Sequence, residues 1–223
     1  MESSAGQSAR GEYLRHREAK RERLRARFGR LAPLAELIAG ESTAERNWRR
    51  GAEGEERTAA RLAKRSQGRS VVMLQDRRIP GRRANIDHLA IGPAGVTVID
   101  SKNYRGKVVV RRDELFVNGR NRTKLVHGVK GQVEVVRAAL AGSRFADTPI
   151  TAALAWVDID GLPILRTLRV DGVLIDGTRK IVKQASRPGP LSIPDVDQLA
   201  ALLDEKLPPA ANQLTAARSA LDR

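Results

Sequence analysis

Two neighbouring runs of strand-forming residues constrain the fold of this 223-residue chain more than any other feature. Residues 85–91 and 96–102 are rich in β-branched and apolar residues, and the segment Gly92-Pro93-Ala94-Gly95 between them is a strong turn signal. If those four residues close an antiparallel hairpin, Ile91 pairs with Val96 and each earlier residue pairs with a correspondingly later one. The sequence therefore predicts a hairpin of fixed register.

Two acidic residues and a lysine share one face of this hairpin. In the predicted register Asp87 lies directly opposite Asp100, and Lys102 projects from the same face because it follows Asp100 by two residues. His88 alternates to the opposite face, where packing is the expected role. Opposed side chains have Cβ atoms roughly 4.5–5.5 Å apart, and like charges at that range repel. A slip of one residue would turn Asp87 to the other face.

A bound divalent cation would remove this repulsion, because Mg²⁺ and Mn²⁺ select clustered carboxylate oxygens. Such a cation polarises a phosphoryl oxygen and lowers the pKa of a bound water. Lys102 could then stabilise the attacking hydroxide or the charge that grows on the phosphate. We interpret Asp87 and Asp100 as metal ligands and, with Lys102, as a catalytic centre for phosphodiester hydrolysis. The alternative is that the two acids lie at strand ends and Lys102 pairs with one of them at the surface, but three such residues on one face favour a functional site.

Two helical residues are predicted to face the same region. Glu55 shares a stripe with Ala59 and Leu62, so its carboxylate faces the body, although an acid in a first helical turn also complements the helix dipole. Gln132 is in register with Val136, and a buried amide that caps a strand carbonyl would look the same. Both interpretations stay open for each residue.

The remaining pattern predicts an α/β fold in which a central mixed sheet is flanked by helices. The expected helices are residues 45–64, with a start either near Glu45 or after the Gly51–Gly54 break, then 129–140, and a last helix around 196–203 that Pro208-Pro209 stops. The expected further strands are residues 107–111 and 115–117, the second followed by an Asn118-Gly119 turn, then 150–157 and 172–175.

The N-terminal segment differs from the rest in composition. Residues 10–30 have high helix propensity, basic residues on almost every side and few apolar residues, which predicts a mobile basic helical arm. An apolar stretch at residues 31–38 could dock this arm onto the body. We therefore divide the chain into an arm and connector (1–42), a folded domain (43–206) and a C-terminal tail (207–223).

A net charge of +15 indicates a polyanionic partner, because so much positive charge on a small protein attracts nucleic acid or an anionic membrane. Codon bias explains an excess of Arg over Lys but not of both over the acids, so we favour nucleic acid. The candidate phosphate contacts surround the Pro80-Gly81 turn, which we expect to be a basic loop, and follow the second hairpin strand: Arg77, Arg78, Arg82, Arg83 and Arg105. The absence of cysteine, of a secretory signal and of a membrane-length apolar run predicts a cytoplasmic protein.

Several of these segments together resemble the nuclease-related domain (NERD) family. The segments are Gly-Ala-Glu-Gly-Glu-Glu at 51–56, Asn-Ile-Asp-His at 85–88, Gly-Val-Thr-Val-Ile-Asp-Ser-Lys-Asn-Tyr-Arg-Gly at 95–106, Val-Asn-Gly-Arg at 117–120 and Gly-Gln at 131–132. They occur in the family's order, and the resemblance covers about residues 45–145. That family is regarded as a branch of the PD-(D/E)XK nuclease superfamily, whose core is a mixed sheet with flanking helices.

The resemblance implies a role for each residue of the site. Asp87 would be the first metal-binding acid, Asp100 and Lys102 the D-x-K pair, Glu55 the acid of the first core helix and Gln132 the polar residue of the second. Many superfamily members have Glu where this chain has Asp100, and the motif admits either. The resulting expectation is a Mg²⁺- or Mn²⁺-dependent nuclease that acts on DNA.

Two other functions remain as alternatives. The chain could be a nucleic-acid-binding or regulatory module that keeps the fold and has little or no turnover. It could also be an interaction protein whose basic arm meets an anionic membrane or an acidic partner. The intact set of Asp87, Asp100 and Lys102 favours the nuclease over the module, and salt-sensitive DNA binding would favour either over the interaction protein.

Overall fold

The computed structural model describes residues 7–29, 43–82, 84–104, 106–156, 162 and 167–210. The helices of this part are α1 (Gln7–Phe28), α2 (Thr43–Ser66), α3 (Lys124–Leu140), α4 (Thr178–Ala185) and α5 (Ile193–Lys206). The strands are β1 (Val72–Arg78), β2 (Asn85–Gly92), β3 (Gly95–Lys102), β4 (Val108–Arg111), β5 (Glu114–Val117), β6 (Arg120–Asn121), β7 (Ile150–Trp156), β8 (Leu168–Val170) and β9 (Val173–Gly177).

A six-stranded mixed sheet in the order β1-β2-β3-β7-β9-β8 forms the centre of the fold. Strands β1, β2 and β3 are antiparallel, β3 pairs in parallel with β7 and β7 with β9, and β8 returns antiparallel to β9. Strands β4, β5 and β6 form a second, three-stranded antiparallel sheet. The α/β class with a mixed sheet flanked by helices, predicted from the order of elements, is confirmed.

The hairpin has the predicted register. Ile91 pairs with Val96 and Leu89 with Val98, and pairing continues through Gly92 and Gly95, so Pro93 and Ala94 alone form the turn. Gly95 has a φ of 112°, and a Cβ built there would lie 2.2 Å from the carbonyl oxygen of Pro149. The backbone N–H of Val96 donates to that same oxygen at 2.9 Å. A glycine at this position therefore allows the turn to lie against the start of β7.

The large sheet buries a different set of side chains on each face. On one face Leu89, Val98 and Leu154 belong to the main apolar core, to which α3 and α5 contribute. On the other face Ile99 and Leu174 pack with residues of α2 and α4. Because side chains alternate along a strand, Asp100 and Lys102, two and four residues after Val98, lie on the α3 side of the sheet.

Several local expectations need correction. Helix α2 runs without interruption through Gly51 and Gly54, where a break was one of the two alternatives. The segment expected to be a basic loop before the hairpin contains β1, which ends at Arg78. Strands β6 and β8 and helix α4 were not predicted. Residues 207–210, assigned above to the tail, pack on the body: Leu207 is buried and Ala210 donates a backbone hydrogen bond to Asp76.

The basic N-terminal segment is helical, as predicted. Helix α1 lies against α2, whereas its composition led us to expect an arm that stands apart from the body. The apolar stretch at residues 31–38 lies outside the described residues. Among the described helices, none has the length and apolarity required to cross a membrane.

Candidate metal centre

Asp87 and Asp100 lie where the hydrogen-bonded pairing of β2 and β3 ends. The last pair of the ladder at this end is His88 with Ile99, and the two aspartates occupy the next position of the same register. Beyond that pair, the backbone N–H of Ser101 donates to the carboxylate Oδ2 of Asp87 at 2.7 Å. The side chain of Asp87 thus accepts a hydrogen bond from the neighbouring strand, which fixes its carboxylate beside Asp100.

Lys102 provides the positive charge of this cluster. Its Nζ donates to Oδ1 of Asp100 at 2.5 Å, and the two side chains are 20% and 11% exposed. Burial by itself would lower the pKa of Lys102, but the carboxylates of Asp100 and Asp87 and the hydrogen bond to Asp100 outweigh it and raise the pKa above its ordinary value. The ammonium group is therefore charged at neutral pH.

Asp87 experiences more negative charge than one lysine neutralises. Burial raises the pKa of Asp87 well above its ordinary value, and the carboxylates of Asp100 and Glu55 raise it further. Lys102 and the hydrogen bond from the Ser101 N–H act in the opposite direction without cancelling the effect. The protein thus holds an acid next to other acids in a place where its ionised form needs further positive charge.

Helix α2 packs on the other face of the large sheet, but Glu55 lies near enough to Asp76, Asp100 and Lys102 for their charges to shift its pKa. The residues next to it on the inner stripe, Thr58, Ala59 and Leu62, are buried against the sheet. A Cβ built on Gly54 would lie 2.6 Å from Cβ of Asn103, so the helix passes very close to the chain that follows β3. Burial raises the pKa of Glu55 from 4.5 to about 7, with Asp76 and Asp100 adding to the shift and Lys102 reducing it.

Asp76 is a member of the cluster that the sequence analysis missed. The pairing of β1 with β2 is interrupted where Asp76 faces Asp87, between the pairs Gln75–His88 and Arg77–Ile86. Asp76 is buried, has a φ of 50° and accepts a hydrogen bond from Nδ2 of Asn85 at 2.9 Å. Asp76, Asp87 and Asp100 therefore occupy one row across three adjacent strands. The residue could have been found only after β1 itself had been predicted.

His88 lies on the opposite face from Asp87, as the strand alternation predicted. It is buried, and its Nε2 is 2.8 Å from Oγ of Ser101. Burial lowers the pKa of His88 to about 3, so the imidazole is neutral at physiological pH. The contact holds the side chain of Ser101, whose backbone N–H binds Asp87 on the other side of the strand.

Gln132 and the arginines are placed less favourably than the acids. Gln132 faces inward from α3, and its Oε1 is buried without a hydrogen-bond partner in the described part of the chain. Arg77 is buried and binds Asp204 of α5 and the carbonyl oxygen of Leu207, whereas we had expected it on a basic loop. Arg78 is half-buried and Arg82 exposed. Arg83 and Arg105 lie outside the described residues.

The donor chemistry of the cluster suits a hard divalent cation. Its carboxylate oxygens are the ligands that Mg²⁺ and Mn²⁺ prefer, and the raised pKa of Asp87 reflects a need for positive charge. Within the described residues, no three His, Asp or Glu side chains converge on one point at which an ion could sit. Mg²⁺ is usually held by one or two carboxylates and keeps several waters, so the facing pair Asp87 and Asp100 meets that requirement.

A comparison with known protein families found a match. The family model of the nuclease-related domain (NERD) matches residues 50–157, a segment that contains the hairpin, α3 and β7 together with Glu55, Asp87, Asp100 and Lys102. Searches of curated proteins and of solved structures found no match to the chain.

Proposed function

We propose, from the match of residues 50–157 to the nuclease-related domain family, that the protein is a metal-dependent nuclease that hydrolyses phosphodiester bonds of DNA. The observation that carries the proposal is the pair of facing aspartates, held at the end of the hairpin with Lys102 on the same side. This arrangement combines negative charge for a cation with a positive charge for the phosphate. Both are needed to cleave a bond between two anionic nucleotides.

Asp87 and Asp100 would hold the cation, Mg²⁺ or Mn²⁺, which when bound supplies a Lewis acid for the phosphate and lowers the pKa of a coordinated water. Asp87 is oriented for this role by the Ser101 N–H, and Asp100 by Lys102. The strand backbone and a charged side chain thus fix one acid each. Rigid placement of this kind is what a catalytic centre requires.

Lys102 and Glu55 would act on the substrate side. The ammonium of Lys102 stays protonated and can bind a phosphate oxygen as negative charge develops there. The carboxyl of Glu55, with a pKa of about 7, can take up or release a proton near neutral pH, which suits a general base. Gln132 would be the polar residue that α3 contributes to the site, as the family resemblance implies.

The rest of the molecule supplies attraction for the substrate. The net charge of +15 favours a polyanion at long range, and the exposed Arg82 is positioned on the turn that precedes the hairpin. Arg78, half-buried at the end of β1, is a second candidate for a phosphate contact, and Arg83 and Arg105 remain candidates from the sequence.

One observation favours a second function. In that case the protein would be a nucleic-acid-binding module of the same fold with weak or no turnover. Asp100 already forms a close ion pair with Lys102, and the described acids do not converge on a single point. A protein with this site could bind DNA through its charge and cut slowly or not at all.

The test is a cleavage assay with circular and linear DNA, single-stranded DNA and RNA, in Mg²⁺, Mn²⁺ or EDTA. The parent should cut DNA only with a divalent cation, and Asp100→Asn should lower the rate at least about a hundredfold, since it removes a charged metal ligand. Asp147→Asn is the matched control, because Asp147 is exposed and precedes β7 at the turn end of the hairpin, whereas Asp100 lies at the other end. Parent-like cleavage by Asp100→Asn would refute the catalytic assignment, and DNA binding without cleavage under every condition would favour the module.

A further inference from the structure

A cavity of about 360 Å³ lies next to the small sheet and is lined by Tyr104, Val117, Asn118, Arg120 and Arg122. Its volume falls within the range of roughly 300–1,000 Å³ that is typical of ligand sites. Among these described lining residues two are arginines and none is acidic, so the cavity presents positive charge. None of the five belongs to the candidate metal centre.

Arg122 is the residue that points to an anion. Its guanidinium carbon lies 5.4 Å from the centre of the Tyr104 ring, a cation–π contact that orients the side chain. Its backbone N–H donates to the carbonyl oxygen of Leu115 at 2.7 Å, so the main chain is also anchored. Nevertheless, its Nε is buried and has no hydrogen-bond partner within the described residues. A buried donor of this kind needs an acceptor, because an unsatisfied polar group is unfavourable.

Tyr104 connects the cavity to the strand that carries the candidate metal centre. Val117, which lines the cavity, belongs to the same apolar core as Leu89 and Val98, the core on the face of the large sheet that also carries Asp87 and Asp100. Tyr104 follows Lys102 by two residues and packs against that same core. An anion in the cavity would therefore be a near neighbour of the reacting phosphate.

We propose that this cavity is a subsite for a backbone phosphate of the substrate strand, next to the bond that is cleaved. The proposal rests on the proposed nuclease function and names a second anionic position along the same strand. Arginine forks bind phosphate oxygens in bidentate geometry, and Arg120 and Arg122 bring two such forks to one cavity. Free phosphate or a mononucleotide shares this chemistry, so the test includes both.

Binding is measured by fluorescence anisotropy with a labelled DNA duplex in EDTA, which removes any contribution from cleavage. Arg122→Gln and Arg120→Gln should each weaken binding and reduce the slope of log affinity against log salt by about 0.9, the value for one lost phosphate contact. Arg111→Gln is the matched control, since Arg111 is exposed on β4 of the same small sheet, does not line the cavity and carries the same charge. It should leave the slope nearly unchanged.

The duplex result is compared with inorganic phosphate and with adenosine monophosphate as competitors. The proposal predicts that the short duplex binds through Arg122 and that neither small anion displaces it at comparable concentration. Equal effects of Arg111→Gln and Arg122→Gln, or no effect of Arg120→Gln and Arg122→Gln, would overturn it. Arg122-dependent binding of the mononucleotide without any such dependence for the duplex would overturn it as well. Should Arg122→Gln fail to fold, Arg120→Gln carries the test, because Arg120 is exposed.

The test of the subsite and the test of the catalytic residues can fail independently of each other. Normal cleavage by Asp100→Asn with weakened binding by Arg122→Gln would refute the catalytic assignment and keep the subsite. Loss of cleavage in Asp100→Asn with unchanged binding by both arginine variants would keep the chemistry and refute the subsite.

Discussion

The carboxyl group of Glu55 should make the stability of the protein depend on pH. Its pKa is 4.5 in the unfolded chain and about 7 in the folded protein, so the folded state holds the proton more tightly between those values. The free energy of unfolding should therefore fall as pH rises from about 4.5 to about 7 and then level off. Asp87, whose pKa is also raised, contributes in the same direction.

Urea unfolding in EDTA at pH 5 and pH 8 tests this expectation. The free energy of unfolding should fall less between pH 5 and pH 8 in Glu55→Gln than in the parent. The difference should be at most about 3 kcal/mol, since one pKa unit corresponds to about 1.4 kcal/mol. Glu56→Gln is the control, because Glu56 is the exposed neighbour on the same helix. An identical pH dependence for Glu55→Gln and the parent would show that Glu55 does not titrate in this range.

Single residues were predictable where local rules sufficed. Asp87, Asp100 and Lys102 follow from a turn signal and strand alternation, both of which act over a few residues. Asp76 and Arg77 did not, because their roles depend on distant parts of the chain. Arg77 was assigned to the surface by its charge, but Asp204, 127 residues later, binds it in the interior.

Among the elements, the hairpin turn should be the least tolerant of added volume. Gly95→Ala should destabilise the protein by at least about 2 kcal/mol, since alanine is strained at a φ of 112° and its Cβ would overlap the Pro149 carbonyl. Gly128→Ala is the contrasting variant: Gly128 lies within α3 with nothing within 4 Å of an added Cβ, so it should stabilise by roughly 0.5–1 kcal/mol. Thermal denaturation of both variants provides the measurement, and similar effects would contradict the described turn.

Elements with strong periodicity were predicted, and short or edge elements were not. The apolar stripe of α3 and the apolar run of β7 can be recognised in the sequence because each buries a continuous set of side chains. Strand β8 has only three residues, too few for a pattern. In α2, Gly54 looked like a possible helix break, but it permits close approach to Asn103, which only the folded structure reveals.

At the scale of the whole molecule, positive charge should govern affinity for DNA. Deleting residues 1–30 should weaken binding to all sequences alike and flatten its salt dependence, because the basic residues of α1 would meet phosphates rather than base edges. The folded body should keep its thermal stability, since the side chains described in α1 are mostly exposed. Anisotropy titrations and thermal denaturation measure the two effects, and a large fall in melting temperature would show that the contact of α1 with α2 is part of the core.

The overall fold could be predicted because the order of elements limits a chain of this type to few arrangements. The docking of residues 207–210 could not. Pro208 and Pro209 look like the end of the domain, but the carbonyl of Pro208 accepts a hydrogen bond from Arg78 and Ala210 binds Asp76. These contacts join the segment after the last helix to β1, an edge strand. They form only once the sheet is complete, and no local pattern encodes them.

Divalent-cation binding by Asp87 and Asp100 is the premise on which the proposed chemistry depends. Calorimetric titration of the protein with Mn²⁺ at neutral pH, without nucleic acid, measures it directly. The parent and Asp147→Asn should bind the ion alike, and Asp87→Asn and Asp100→Asn should each lose at least about tenfold in affinity, because each removes a charged oxygen ligand. Equal Mn²⁺ affinity in the parent, Asp87→Asn and Asp100→Asn would contradict the metal site.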